Sequence, residues 1–317
     1  MRDWRRAWQA ALYSPRGFFA RGERPSAHFR TSPLVGPELA EALLELLDRV
    51  DFALDRPAEV DFVDVGAGGG ELAVSVHDLA PAALRRRLCV TAVEVTPPAV
   101  PAGVRVRTDL PSDVVGLLVG HEWLDSIPCQ VVEVHNGQIR EVHVDDHGTE
   151  SLGPPVTGAE LDWLNRWWPW PVRAEVGLSR DTAWADAVRR VRAGAALAVD
   201  YGHVLADRAA GRHREGTLTG YLAGRQVRPI PDGSRDLTAH VAMDSCAEAA
   251  GGGVITSQAS ALAALGLSAS APAAGIAATD PVRWLDEVAR AGRIAELTDP
   301  AGLGGFHWLL HWAGMEA

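Results

Sequence analysis

V-D-F-V-D-V-G-A-G-G-G-E-L, residues 60–72, decides how the rest of the chain is read. An apolar run rich in valine stops at a cluster of glycines, and E-L-A-V-S-V-H-D-L-A (71–80) then repeats apolar residues at helical spacing. The pattern predicts a strand, a tight turn and a helix. Similar short apolar runs return at L-C-V-T-A-V-E-V (88–95), V-R-V-R-T-D-L (104–110), V-V-G-L-L-V-G (114–120) and L-A-V-D-Y-G (197–202). Continuous apolar runs mark strands covered on both faces, and strands interleaved with helices mark a parallel sheet. Helical spacing also covers residues 37–54, with Pro37 suited to a first turn, and the stretch from Asp181 to Arg192.

Glycines are needed where a strand turns into a helix because they reach backbone angles closed to other residues and let a ligand approach the main chain. The helix start adds free N–H groups and a positive dipole end. Dinucleotide sites use G-x-G-x-x-G. Gly66 and Gly68 fit that pattern, but Glu71 stands where its third glycine belongs, which argues against a dinucleotide oxidoreductase. S-adenosyl-L-methionine (SAM) sites show an acid two positions before G-x-G-x-G. Asp64, Gly66, Gly68 and Gly70 meet every element. An acid ending the second strand is then expected to accept from both ribose hydroxyls, as one carboxylate can. Glu94 stands there, and an acid closing an otherwise apolar strand needs a partner. Asp109, after the third strand, is placed to accept from the adenine amine, although Asp is also an ordinary turn residue.

The fourth apolar run stops at Gly120, and H-E-W-L-D-S-I-P (121–128) follows. In such a sheet this strand ends opposite the transferable methyl group. Glu122 and Asp125 there suit a cationic acceptor, since guanidinium pairs with carboxylates in a planar, bidentate way and a proton must leave as the methyl arrives. The competing reading makes Glu122 a cap for N–H groups of the next turn.

The chain has 317 residues, 47% hydrophobic and 22% charged, with a net charge of -11, and its basic residues are all arginine. That charge disfavours nucleic acid or an anionic membrane as partner. The scattered Cys89, Cys129 and Cys246 give neither a disulfide framework nor a cysteine metal site and suit a reducing cytoplasm. No apolar run is long enough to span a bilayer. M-R-D-W-R-R-A-W-Q-A-A-L (1–12) lacks the apolar segment of a secretory signal and is expected to be a docked helix rather than a transit peptide. V-V-E-V-H-N-G-Q-I-R-E-V-H-V (131–144) alternates about Asn136-Gly137, the signature of a hairpin with a type I′ turn. W-L-N-R-W-W-P-W-P (163–171) reads as a cover for that hairpin, with the wall of a substrate groove as the alternative. Residues 259–278 read as helix and loop, and G-F-H-W-L-L-H-W-A (305–313) as a short apolar strand or helix. With no clean linker, one domain over 1–317 is expected, with a substrate-side segment at 1–36 and an insertion at 130–172.

Several motifs in the same order give a resemblance to the MidA-like family of SAM-dependent methyltransferases, which includes a mitochondrial complex I assembly factor that dimethylates an arginine of a core subunit. The carrying stretches are L-Y-S-P-R-G-F-F (12–19) with H-F-R-T-S-P (28–33), the glycine turn, H-E-W-L-D-S-I-P, I-R-E-V-H-V, V-D-Y-G-H (199–203), G-T-L-T-G-Y (216–221) and S-R-D-L-T-A-H-V (234–241). The resemblance covers roughly residues 10–265. It implies a class I SAM-methyltransferase, Rossmann-like sheet with a β-hairpin insertion and an N-terminal helical segment. It also implies methyl transfer to an arginine of a protein acceptor, with Glu122 and Asp125 on the acceptor side. Phe29, Arg30 and Thr31 match a segment expected to close over the site, and Tyr201, His203, Asp236 and His240 match positions expected to line the acceptor pocket. His203 and His240 read equally as packed histidines. His121 stands where the family usually has asparagine, a departure that bears on the acceptor more than on the cofactor. A small-molecule methyltransferase and a non-catalytic SAM-binding assembly factor are the alternatives; a homodimer is allowed but not indicated.

Overall fold

The computed structural model describes residues 1–22, 31–169, 171–273 and 275–314. Its centre is a seven-stranded sheet whose strands we label in chain order: β1 Val60–Val65, β2 Leu88–Val93, β3 Val104–Arg107, β4 Val114–His121, β5 Val191–Asp200, β6 Val254–Ser257 and β7 His307–Ala313. Across the sheet the order is β6-β7-β5-β4-β1-β2-β3. Strands β1 to β5 pair in parallel, and β7 runs antiparallel to β5 and β6. The class I methyltransferase architecture is thus present.

Successive residues of each strand serve opposite faces. Phe62, Leu117, Val119 and Leu197 pack beneath helices α2 (Glu38–Ala53) and α3 (Glu71–Leu79). Val63, Leu118, Ala196 and Ala198 pack against Trp184 and Val188 of the helix Leu178–Arg189. Both faces are buried, which is why the strands read as apolar runs. Strand β5 begins at Val191, six residues before the run that announces it; Val191 and Arg192, the end of the expected helix, belong instead to the strand that pairs with β4.

The alternating segment forms the expected hairpin, Gln130–His135 with Gln138–Val144, and both turn residues have positive φ (50° at Asn136, 74° at Gly137). The second sheet also takes in Arg173–Val176, just past the expected insertion boundary, and the two residues Arg2–Asp3. Trp163 and Trp168 pack on Val132, Ala174 and Val176, so those tryptophans cover the hairpin sheet as the first reading has it. Helix α1 (Trp4–Tyr13) docks through buried Trp4, Trp8 and Leu12. The Trp8 indole N–H donates to the Leu237 carbonyl at 3.0 Å, which ties the N-terminus to the strand bearing Asp236. The tail beyond residue 265 is integral rather than appended. Helix Pro281–Thr298 grips α2 through Arg293 and the fully buried Glu38 at 2.7 Å, and β7 lies inside the sheet. No helix among the described residues is long and apolar enough to cross a membrane.

Candidate functional site

The glycine turn sits at the carboxyl end of β1. Gly66 and Ala67 donate to the Val93 carbonyl at 3.0 and 3.1 Å, fastening the turn to β2. Gly68 has φ 56°, and a Cβ there would meet nothing within 4 Å, so its open face is space a ligand can take. Gly70 precedes α3 at φ 83°, where a Cβ would strike Val100 at 2.6 Å. Asp64 accepts from the Ala73 N–H of the first helical turn at 3.2 Å, and burial pushes its carboxyl up to about 7 despite that bond. Glu94 accepts from Gly68 N–H at 2.9 Å and Val95 N–H at 2.7 Å. Asp109 lies at the rim with an exposed carboxylate bonded to Arg107 at 2.7 Å; its neighbours Thr108 and Leu110 face the cavity instead.

Two cavities adjoin the turn, one of about 260 Å³ and one of about 70 Å³, and Gly66, Gly68 and Glu122 wall both. Thr31, Pro33, Asp64 and His121 line the smaller. Glu94, Trp123, Asp125, Asp236, Tyr13 and Phe19 line the larger. The N-terminal segment therefore does wall the site; Phe29 and Arg30 fall outside the described residues. Burial lowers the His121 imidazole to about 4, so the ring is neutral near pH 7.

Beyond β4 the chain turns through Glu122 at φ 49°, a conformation uncommon for a residue with a side chain and concentrated at functional sites. Its N–H donates to the Val199 carbonyl at 2.8 Å. Asp200, fully buried at the end of β5, accepts the N–H groups of Leu124 and Asp125 at 3.0 and 3.2 Å. The Asp125 carboxylate accepts from Thr238 at 2.8 Å and from the Tyr201 hydroxyl. From below, the buried Arg180 guanidinium donates to the carbonyls of Asp125, Ile127 and His240 at 2.6, 3.2 and 2.7 Å. Glu122 Oε1, Asp125 Oδ1 and Asp236 Oδ1 are buried with no hydrogen-bond partner among the described residues. Burial, then the charge of Asp125, holds the carboxyls of Glu122 and Asp236 well above the usual range.

The structure thus gathers Glu122, Asp125, Tyr201 and Asp236 at one place. His203 is elsewhere: it accepts from Arg208 at 2.6 Å, packs edge-on against Trp168 and walls neither cavity. His240 stands edge-on to Tyr201, one ring behind the site. The sequence reading passed over Asp200, Arg180 and Thr238. For Asp200 the signal was present, an acid closing an apolar strand just as Glu94 does.

A family profile described as "Putative S-adenosyl-L-methionine-dependent methyltransferase" matches residues 39–259. The chain belongs to this methyltransferase family. No curated protein matches it. Two crystal structures of Burkholderia thailandensis proteins share the fold. One, proposed to be a methyl transferase and bound to S-adenosyl-homocysteine, is 23% identical with a TM-score of 0.81. The other, without a characterised function, is 24% identical with a TM-score of 0.77. Each alignment covers 99% of this chain and 88% of the other. The cofactor of the methyltransferase is SAM, and the residues fit it. The open face of Gly68 leaves room against the main chain, Glu94 ends β2 beside it, and the smaller cavity lies at the start of α3, where first-turn N–H groups suit a carboxylate.

Proposed function

We propose that this methyltransferase modifies an arginine side chain of a protein acceptor. The observation that carries the reading is the set of three cavity-wall carboxylates, Glu122, Asp125 and Asp236, each with a buried oxygen lacking a hydrogen-bond partner among the described residues, that of Glu122 meeting only the neutral His121 ring at 3.5 Å. Buried anionic oxygens without partners are costly. A guanidinium supplies five N–H donors in a planar fork and a positive charge, which answers both deficits. An anionic acceptor would add repulsion to groups whose charge is already disfavoured. The resemblance to MidA-like methyltransferases points the same way.

SAM, when bound, supplies an electrophilic methyl group on a sulfonium sulfur. In this reading Gly68 and Glu94 hold the nucleoside part of the cofactor, with Asp64 bracing the turn beneath. Asp125, fixed by Tyr201 and Thr238, holds one edge of the guanidinium. Glu122 holds the nitrogen that receives the methyl and takes the proton it gives up; its upward shift makes its carboxylate a better base than an exposed one. Orientation of the nitrogen in line with the breaking bond is the main contribution of so constrained a pair.

The test is the Glu122→Gln variant, with methyl-labelled SAM, host-cell protein as acceptor and amino-acid analysis for methylarginine. Transfer is expected to fall by about 10²-fold or more, the scale of a lost general base, while S-adenosylhomocysteine binding stays within a few-fold of wild type. Label in another amino acid or in small molecules only would overturn the arginine reading. Equal loss of cofactor binding would overturn the division of roles.

A further inference from the structure

The strands Thr219–Leu222 and Asp236–Thr238 pair antiparallel, with Tyr221 directly opposite Asp236 and Thr219 opposite Thr238. Directly opposed residues in such a pair project from the same face, with Cβ atoms about 5 Å apart, and alternate residues along each strand share that face. The direction of the face is fixed at both of its corners on the second strand. Thr238 donates to the Asp125 carboxylate at 2.8 Å, and Asp236 walls the larger cavity. Tyr221 therefore projects from the same face as Asp236 and Thr238, at the outer end of a short hairpin, beside the larger cavity rather than in its lining. It is half-buried, and the chain turns back just beyond it through Ala223 and Gly224, both at positive φ. Burial, then the charges of Asp125, Asp236 and Glu122, raises the Tyr221 phenol, so it shares the field of all three. It closes the motif G-T-L-T-G-Y, which gives it no role of its own.

We infer that Tyr221 contacts the methyl acceptor, its ring packing on the cationic head that Glu122, Asp125 and Asp236 hold from the other side. An aromatic face attracts a cation through its quadrupole, and more strongly where water is excluded. The placement gives the pocket two kinds of wall: carboxylates that satisfy N–H donors at the edge of the guanidinium, and a ring that covers its plane. The ring rather than the hydroxyl is the working part, so a phenylalanine serves there and a leucine does not.

This inference rests on the arginine reading above, and the experiment separates the two. The probe is Nα-acetyl-arginine methylamide, titrated into protein saturated with S-adenosylhomocysteine, with the neutral citrulline analogue as control. Variants are Tyr221→Phe, Tyr221→Leu and Tyr221→Ala, each first shown to bind S-adenosylhomocysteine as wild type does. The expected result is binding of the arginine probe and not of the citrulline analogue. Affinity should be retained within about twofold in Tyr221→Phe and reduced about three- to thirtyfold in Tyr221→Leu and Tyr221→Ala, the range of a cation–aromatic contact. Equal affinity in wild type and in both truncated variants overturns the role of Tyr221 alone. Failure of wild type to bind the arginine probe, with S-adenosylhomocysteine still bound, overturns the arginine reading and this inference with it.

Discussion

Asp64 faces inward at the end of β1 and braces the glycine turn through Ala73, yet it does so from a site where burial raises its carboxyl to about 7. A folded-state value above the unfolded one, 3.8, has a definite consequence. The group favours the folded state fully below about pH 4, and that advantage is lost as the pH rises through about 7. Asp64→Asn keeps an oxygen for Ala73 and removes the titration. Denaturant unfolding of the cofactor-free protein between pH 4 and pH 8 is therefore expected to show wild type losing up to about 4 kcal/mol relative to the variant, at 1.36 kcal/mol per pKa unit. The pH slope is the measure, because the amide NH2 brings a desolvation cost of its own. Parallel pH profiles for the two proteins would show that Asp64 is ionised throughout, with a counter-charge the geometry does not provide.

The element that makes the site is the loop 122–128, and its shape is set from outside the loop. Asp200 bonds two of its N–H groups, Arg180 three carbonyls around it, and Thr238 and Tyr201 the Asp125 carboxylate. Asp200→Ala leaves two buried N–H groups without an acceptor, a loss of about 2–4 kcal/mol in stability. It also frees the carboxylates that, in the proposed reading, hold a nitrogen in line. Methyl transfer is expected to fall by about 10²-fold, the scale of a small misplacement of a reacting group, with S-adenosylhomocysteine affinity within a few-fold of wild type. A variant that transfers normally once folded would show that the loop holds its own shape. This is also where the sequence was only partly legible. Glu122 and Asp125 could be found because the chain itself sets them three apart after a strand. Asp200, Arg180 and Thr238 come from distant segments, and only β5 pairing with β4 and the docking of helix Leu178–Arg189 bring them in. The N-terminal helix and the hairpin were legible because their signals, an amphipathic stripe and Asn-Gly, are local. Asp109 stands after β3 as its position in the sequence indicates, and its exposed carboxylate pairs with Arg107 two residues away, a contact the sequence alone does not announce.

At the scale of the whole molecule, the segment least legible in sequence completes the sheet. The Ala- and Ser-rich stretch before it has little periodicity, and F-H-W-L-L-H-W suits a strand or a helix equally, since its short apolar run carries no period of its own. Its pairing settles the matter: β7 lies between β5 and β6, antiparallel to both. Trp308 and Leu309 are buried on opposite faces, and the Trp308 indole donates to buried Gln258 at 3.2 Å. Strand β5 in turn carries Asp200, so the tail supports the loop 122–128 at one remove. Trp308→Ala is expected to cost about 3–5 kcal/mol, as large aromatic truncations in cores do. Ending the chain after Phe306 removes that packing, strips β5 of its outer hydrogen bonds and detaches β6. Those losses together exceed the roughly 5–15 kcal/mol that holds a domain folded. The shortened chain is therefore expected to show no cooperative thermal transition and no S-adenosylhomocysteine binding, whereas Trp308→Ala melts at lower temperature and still binds. If the shortened chain melted cooperatively near the wild-type temperature and bound S-adenosylhomocysteine, β1 to β5 with their helices would be a self-sufficient core, and β7 an addition to a sheet already stable without it.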